Sequence, residues 1–136
     1  MRAKFLKSPD FYMPSLYRDE IIDKWRFPRH RGVIALPDMQ AERANSFCGD
    51  EVALFLQLDE KKEKVAEAKF QGEGCALASA SAEILCIALE GKTVDELRAF
   101  SSEDMIKLYG EPPTPGRIPC VLLAYEALRE CMRQAR

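Results

Sequence analysis

The sequence predicts an α+β fold: a small three-stranded antiparallel sheet with helices packed mainly on one face. Three observations carry that prediction. Glu51 to Leu58 alternates, placing Val52, Leu54, Leu56 and Leu58 on one side, as in a half-buried strand. A second alternating stretch, Val65 to Phe70, follows a charged run that suits a hairpin loop. The rest of the chain carries helix start and stop signals. At 136 residues, 47% hydrophobic and 31% charged, the chain has the size of one compact domain.

In chain order, residues 1–14 read as a loose lead-in, with Pro9 and Pro14 and no clear period, and residues 15–136 as a single domain. Ser15 is placed to cap a helix with Tyr17, Ile21, Ile22 and Trp25 on its apolar face. That helix stops near Phe27, because Pro28 disfavours helical geometry in the residue before it. Val33 to Leu36 reads as the first strand, followed by Pro37 and a polar loop through Asn45. Glu51–Leu58 and Val65–Phe70 are the second and third strands, Ala66, Ala68 and Phe70 sharing a face. The tight connection 71–74 leads into a helix from about Cys75 to Glu90 that Gly91 closes. The small first turns of that helix, Ala76 to Ala82, let it lie close against a sheet.

Thr93-Val94-Asp95-Glu96 is a capping box for a short helix to about Ala99, and Ser102 can cap another that Gly110 ends. Glu111 to Pro119 holds four prolines and reads as an extended loop. The last helix runs from Cys120 or Val121 to about Gln134, with an apolar stripe of Val121, Tyr125, Leu128 and Met132.

Composition excludes several classes of function. Twenty basic against 22 acidic residues leave a net charge of −2, with no field directed at nucleic acid or an anionic membrane. The longest nearly uncharged stretch, Gly74 to Cys86, is too short to cross a bilayer and is broken by Ser79, Ser81 and Glu83. The first ten residues lack the apolar run of a signal peptide, so a cytoplasmic protein with reduced thiols is expected.

The chemistry then rests on five cysteines, an odd number that cannot all pair. Cys48, Cys75 and Cys120 each lie beside a break in regular structure, and the last two sit where helices begin. Helix N-termini present unpaired amides and positive potential, which favours thiolate. Cys86 and Cys131 lie eleven residues further into the same helices. That is about 16 Å, too far to share an ion with the first cysteine, so both read as packing residues. Asp50, just past Cys48-Gly49, could aim a carboxylate at the same point, or could merely form a turn. Gaps of 27 and 45 residues without any Cys-x-x-Cys leave a shared site and a plain loop both open.

Four segments break that tie. Leu16-Tyr17-Arg18 with Ile22 to Gly32, Asn45-Ser46-Phe47-Cys48-Gly49-Asp50, Gly72 to Ser81, and Arg117-Ile118-Pro119-Cys120 follow one another in register. Together they resemble the IscU/SufU/NifU N-terminal family of iron–sulfur cluster assembly proteins. The resemblance implies a SufE/NifU-like α+β scaffold whose three cysteines accept sulfur from a cysteine desulfurase. It also implies a transient [2Fe–2S] cluster, or an iron or zinc ion, held by Cys48, Asp50, Cys75 and Cys120 and passed to cluster-receiving apo-proteins. Cys120 or Cys48 is then the expected sulfur acceptor, and Arg117, close by in sequence, a partner for Asp50.

The chain departs from that pattern in places. Pro119 stands where IscU-type members have histidine, and His30 where the family usually has asparagine in Pro-Arg-Asn. Arg117 and the Gly72–Cys75 stretch are SufU-like, whereas the 45-residue gap is IscU-sized. The chaperone-recognition segment Leu-Pro-Pro-Val-Lys is only approximated by residues 111–117, which argues against chaperone dependence. Alternatives are a zinc-bound sulfur acceptor that activates a desulfurase, a structural zinc module, and a cysteine hydrolase using His30 as base.

Overall fold

A computed structural model describes residues 21–45, 49–110 and 114–135. The lead-in 1–14 and most of the expected first helix lie outside them. The described end of that helix, α1, covers residues 21–26. Three antiparallel strands follow: β1 (Met39–Asn45), β2 (Asp50–Leu58) and β3 (Val65–Glu73), in the order β1-β2-β3. Then come α2 (Ala76–Leu89), α3 (Val94–Ala99), α4 (Ser102–Tyr109), a 3-10 turn (Pro115–Arg117) and α5 (Ile118–Ala135). Among the described residues no helix is long and apolar enough to cross a membrane.

The sheet's inner face forms rows across the strands. Met39 pairs with Leu56 and Leu56 with Ala68; Ala41 pairs with Leu54 and Leu54 with Phe70. All six are buried. α5 lies over β1 and β2, and α2 over β3 and against α5. Leu85, Leu89, Ala124 and Leu128 complete the main core from the helix side. The opposite face carries Glu42, Glu51, Gln71 and Glu73, all exposed. Apart from Phe55, which is buried on that opposite face, one side is covered and the other is largely left to water, the arrangement that alternation encodes. A smaller cluster of Ile21, Ala80, Tyr109 and Val121 seats the start of α1 against the helices.

Four expectations need correction. The first strand is Met39–Asn45, inside the stretch read as a loop, while Val33 and Leu36 are exposed. Only Met39 and Ala41 of β1 face the core, so a strand this polar outside carries a weak apolar signal. Ala66 is exposed rather than aligned with Ala68, because a bulge lets Leu58 pair with Val65 and Gln57 with Glu67. Ser101, not Ser102, caps α4, in a capping box with Asp104. α5 starts at Ile118, fed by the 3-10 turn; Pro119 falls in its first turn, where a missing amide costs nothing. The Thr93/Glu96 box and the closing glycines, Gly91 at φ 90° and Gly110 at φ 105°, are as expected.

A feature absent from the sequence reading ties α1's exit to the sheet. Phe70 N–H donates to the His30 carbonyl at 2.9 Å and Gly32 N–H donates to the Phe70 carbonyl at 2.8 Å, a short parallel bridge on the free edge of β3. The His30 amide donates to Glu83 Oε1 at 2.9 Å, and its ring Nδ1 lies 2.7 Å from Glu83 Oε2. Ring Nε2 lies 3.2 Å from Glu90 Oε1, and Glu90 Oε2 accepts the Ala68 amide at 3.1 Å. Carboxylates only accept, so a ring facing one on each nitrogen is satisfied in full only as imidazolium.

Burial disfavours that charge, but the ring's hydrogen bonds to Glu83 and Glu90, with the negative charges of those carboxylates, outweigh it and hold the His30 pKa above its ordinary 6.5. The stability this group adds is complete below 6.5 and is lost as pH rises through the higher folded value. Urea midpoints of the protein are expected to fall over that window, and His30→Asn to flatten the fall; equal pH profiles would exclude a charged bridge.

Candidate functional site

Each of the elements that meet at the lower end of the sheet contributes one group. β2 opens with Asp50, which is 2% exposed although it is a carboxylate. Cys75 is the N-cap residue of α2, with extended backbone angles and no side-chain cap bond, so its thiol is left for other contacts. Cys120 lies in the first turn of α5 and is 1% exposed. Both thiols sit at helix N-termini for a local reason: Gly74 and Pro119 break the preceding structure, and helices restart at once.

The three side chains converge. One ligand atom from each of Asp50, Cys75 and Cys120 lies within 4.8 Å of the others. Asp50 Oδ1 accepts the Cys75 amide at 2.9 Å, and the Cys75 thiol lies 3.8 Å from Asp50 Oδ2. A buried carboxylate is costly, and the helix-start amide that donates to Asp50 offsets part of that cost. Zinc–ligand bonds of about 2.0–2.3 Å put tetrahedral ligands roughly 3.3–3.8 Å apart. Two thiols and a carboxylate at the observed spacing therefore fit a zinc or iron ion after a small inward shift.

Two glycines permit this approach. A Cβ on Gly74 would stand 2.7 Å from Asp50 Oδ1, and one on Gly72, at φ 146°, would stand 2.1 Å from the Glu51 carbonyl oxygen. Gly49 takes φ 72°, the left-handed turn expected between Cys48 and Asp50. Sequence reasoning gave Gly72 and Gly74 only a connecting role; their Gly-x-Gly spacing beside a cysteine was the available signal.

Cys48 lies outside the described residues, between Asn45 at the end of β1 and Gly49. Arg117 is exposed on the 3-10 turn, and Asp50 takes its hydrogen bond from Cys75. Cys86 and Cys131 are fully buried in the main core. Burial pushes Cys131 to about 12 and Cys86 well above its ordinary value, so both remain thiols. Both ring nitrogens of His30 are taken by carboxylates, which leaves no free base for a cysteine hydrolase.

Fold and site together define a small α+β domain that gathers thiols and a carboxylate from separate elements around one point. The chain belongs to the NifU-like N terminal domain family, whose model matches residues 16–135. It is 31% identical over 135 residues to the zinc-dependent sulfurtransferase SufU of Bacillus subtilis, covering 87% of this chain and 90% of that protein. It is 27% identical to the iron–sulfur cluster assembly scaffold protein IscU of Thermotoga maritima, covering 88% and 94%. The SufU crystal structure from Fervidobacterium islandicum AW-1 superposes with a TM-score of 0.73 at 28% identity, covering 84% of this chain and 94% of that one. The NifU-like protein (N-terminal) from Brucella abortus gives 0.69 at 26%, covering 88% and 93%.

Because Gly74 leaves no room for a methyl group, Gly74→Ala is expected to cost about 1–3 kcal/mol and to push the Asp50 carboxylate away from Cys75. Chemical denaturation and the alkylation rate of Cys75 read the two effects. An unchanged rate with unchanged stability would show that the close approach has no consequence.

Proposed function

We propose that this protein is an iron–sulfur cluster assembly scaffold. It accepts sulfur from a cysteine desulfurase and builds a transient [2Fe–2S] cluster on Cys48, Cys75 and Cys120 with Asp50. The observation that carries the reading is the convergence of Asp50, Cys75 and Cys120 within 4.8 Å from three distant parts of the chain. The family membership and the IscU relative support it. Its setting is the cytoplasm, and the products are passed to cluster-receiving apo-proteins.

In the sulfur step a thiolate of this chain attacks the outer sulfur of the desulfurase persulfide. A new S–S bond forms here, the old one breaks, and its electron pair leaves on the desulfurase cysteine. Cys120 or Cys48 is the acceptor proposed from the sequence. Of the two site thiols among the described residues, Cys75 and Cys120, Cys75 is the more exposed, so it belongs in the same test. Asp50 then serves as the hard ligand in a mostly soft set. Carboxylate holds iron less firmly than thiolate, which leaves the cargo easy to release.

A second reading keeps these residues and makes the protein a zinc-bound sulfur acceptor that activates its desulfurase. The 31% identity to a relative named a zinc-dependent sulfurtransferase favours it. So does Pro119, which removes the ligand that IscU-type histidine would add. Here the four residues would hold zinc, a Lewis acid that stabilises thiolate, and Arg117 would pair with Asp50 on its release from the metal.

Metal and acid-labile sulfide analysis after oxygen-free purification tests both readings. Cys48→Ser, Cys75→Ser and Cys120→Ser are each expected to abolish bound metal or sulfide, and persulfide trapping with mass spectrometry to identify the acceptor. Stoichiometric sulfide supports the scaffold; zinc without sulfide, together with desulfurase stimulation, supports the activator. Under the scaffold reading Asp50→Ala lengthens cluster lifetime several-fold, followed by visible absorbance, and a shorter lifetime removes Asp50 from that role.

A further inference from the structure

The turn that carries Cys75 is held weakly by its own residues. Gly74 brings no side chain to it, and Gly72 is the last residue but one of β3 just before it. α2 begins without a side-chain cap and without an acidic residue in its first turn. β3 and α2 share core packing and, at the far end of α2, the Ala68 amide bond to Glu90 Oε2; at the Cys75 end, residues 30–32 add a grip of their own beside the Asp50 bond to the Cys75 amide.

We propose that Arg31 and His30 are positioning residues for Cys75, clamping the end of β3 to the start of α2 and thereby setting the direction of the thiol. Arg31 lies across the Phe70 ring, its Cζ 5.0 Å from the centroid. Its guanidinium donates to the Gly72 carbonyl at 3.1 Å and to Ser79 Oγ at 3.4 Å. Those acceptors lie three residues before Cys75 and four after it, one on each side of the turn. The Ser79 amide in turn donates to the Cys75 carbonyl at 3.2 Å, so the gripped residue is bonded to the cysteine itself.

His30 holds the same helix further along, through Glu83 and Glu90, while its own backbone is bonded to Phe70 of β3. Adjacent residues thus bind both elements at two heights. A planar guanidinium suits the first grip, because one rigid fork serves two acceptors. An imidazolium suits the second, because its donors point in opposed directions.

This inference rests on the proposed role of Cys75 as a site ligand, and the test separates the two. Arg31→Ala, His30→Ala, Arg31→Lys and His30→Asn are compared in the full chain with Leu97→Ala, a core change remote from the turn. Zinc affinity is read by competition with a chromogenic chelator, Cys75 and Cys120 alkylation in metal-free protein by mass spectrometry, and stability by urea unfolding.

Both alanine variants are expected to lose about tenfold in zinc affinity and to shift the Cys75 alkylation rate with little change at Cys120. Arg31→Lys and His30→Asn, which keep a donor, recover part of both. Leu97→Ala lowers the unfolding midpoint without moving either. Unchanged affinity and alkylation in the alanine variants, or changes matched by Leu97→Ala, would overturn the clamp. If the unaltered protein binds neither zinc nor iron, the ligand role of Cys75 fails, and the alkylation rates alone decide the clamp.

Discussion

The hydrogen bond from the Cys75 amide to the Asp50 carboxylate is the constraint on which the site depends. It joins the first residue of β2 to the N-cap of α2, and it forms only because Gly74 has no side chain to keep the two apart. Removing that approach would deprive a carboxylate that is 2% exposed of its bond to the helix-start amide, which is costly for a buried polar group. With the bond in place, the carboxylate sits among helix-start dipoles, and the thiols of Cys75 and Cys120 are brought within reach of it.

Why such chemistry should sit at the ends of elements follows from the core. The interior rows of Leu54, Leu56, Ala68 and Phe70 bind the sheet to α2 and α5 along most of their length. That packing is rigid and apolar, and it has no place for exchangeable ligands. At the sheet's end the strands run out and two helices begin, and the amide at the start of α2 is free to meet the Asp50 carboxylate rather than a helix carbonyl. Polar groups gather there at the least cost. A site built from three chain segments also loosens if any one of them shifts, which suits cargo held briefly.

The sequence was most readable where one period dominated. The alternation of β2, the capping box of α3 and the glycine stop of α2 all lie in the structure as written in the residues. The first strand was missed because its partners supply most of its burial: on its inner side only Met39 and Ala41 are buried, and the next inward position is Arg43, which pairs with Glu130 of α5, so its apolar pattern is too short to stand out. Asp50, Cys75 and Cys120 could be singled out by residue type and position, but not their separation, since nothing local encodes how far β2, α2 and α5 lie apart. Cys86 and Cys131 show the converse. Residue type alone makes them candidates, and eleven residues of helix place them deep in the core.

His30 shows how a substitution can be read only with its neighbours. Glu83 is an acid in the middle of an otherwise small and apolar helix, 1% exposed, and Glu90 lies two turns on along the same face. An asparagine at position 30, usual in the family this chain resembles, would bring both its side-chain N–H bonds from a single nitrogen. It could satisfy Glu83 but could not also span to Glu90. A histidine places donors on opposite edges of a ring, and with the backbone amide of the same residue it meets both Glu83 oxygens and one of Glu90. The residue that looked like a spare catalytic base is instead the counter-charge that lets two carboxylates brace the helix carrying Cys75.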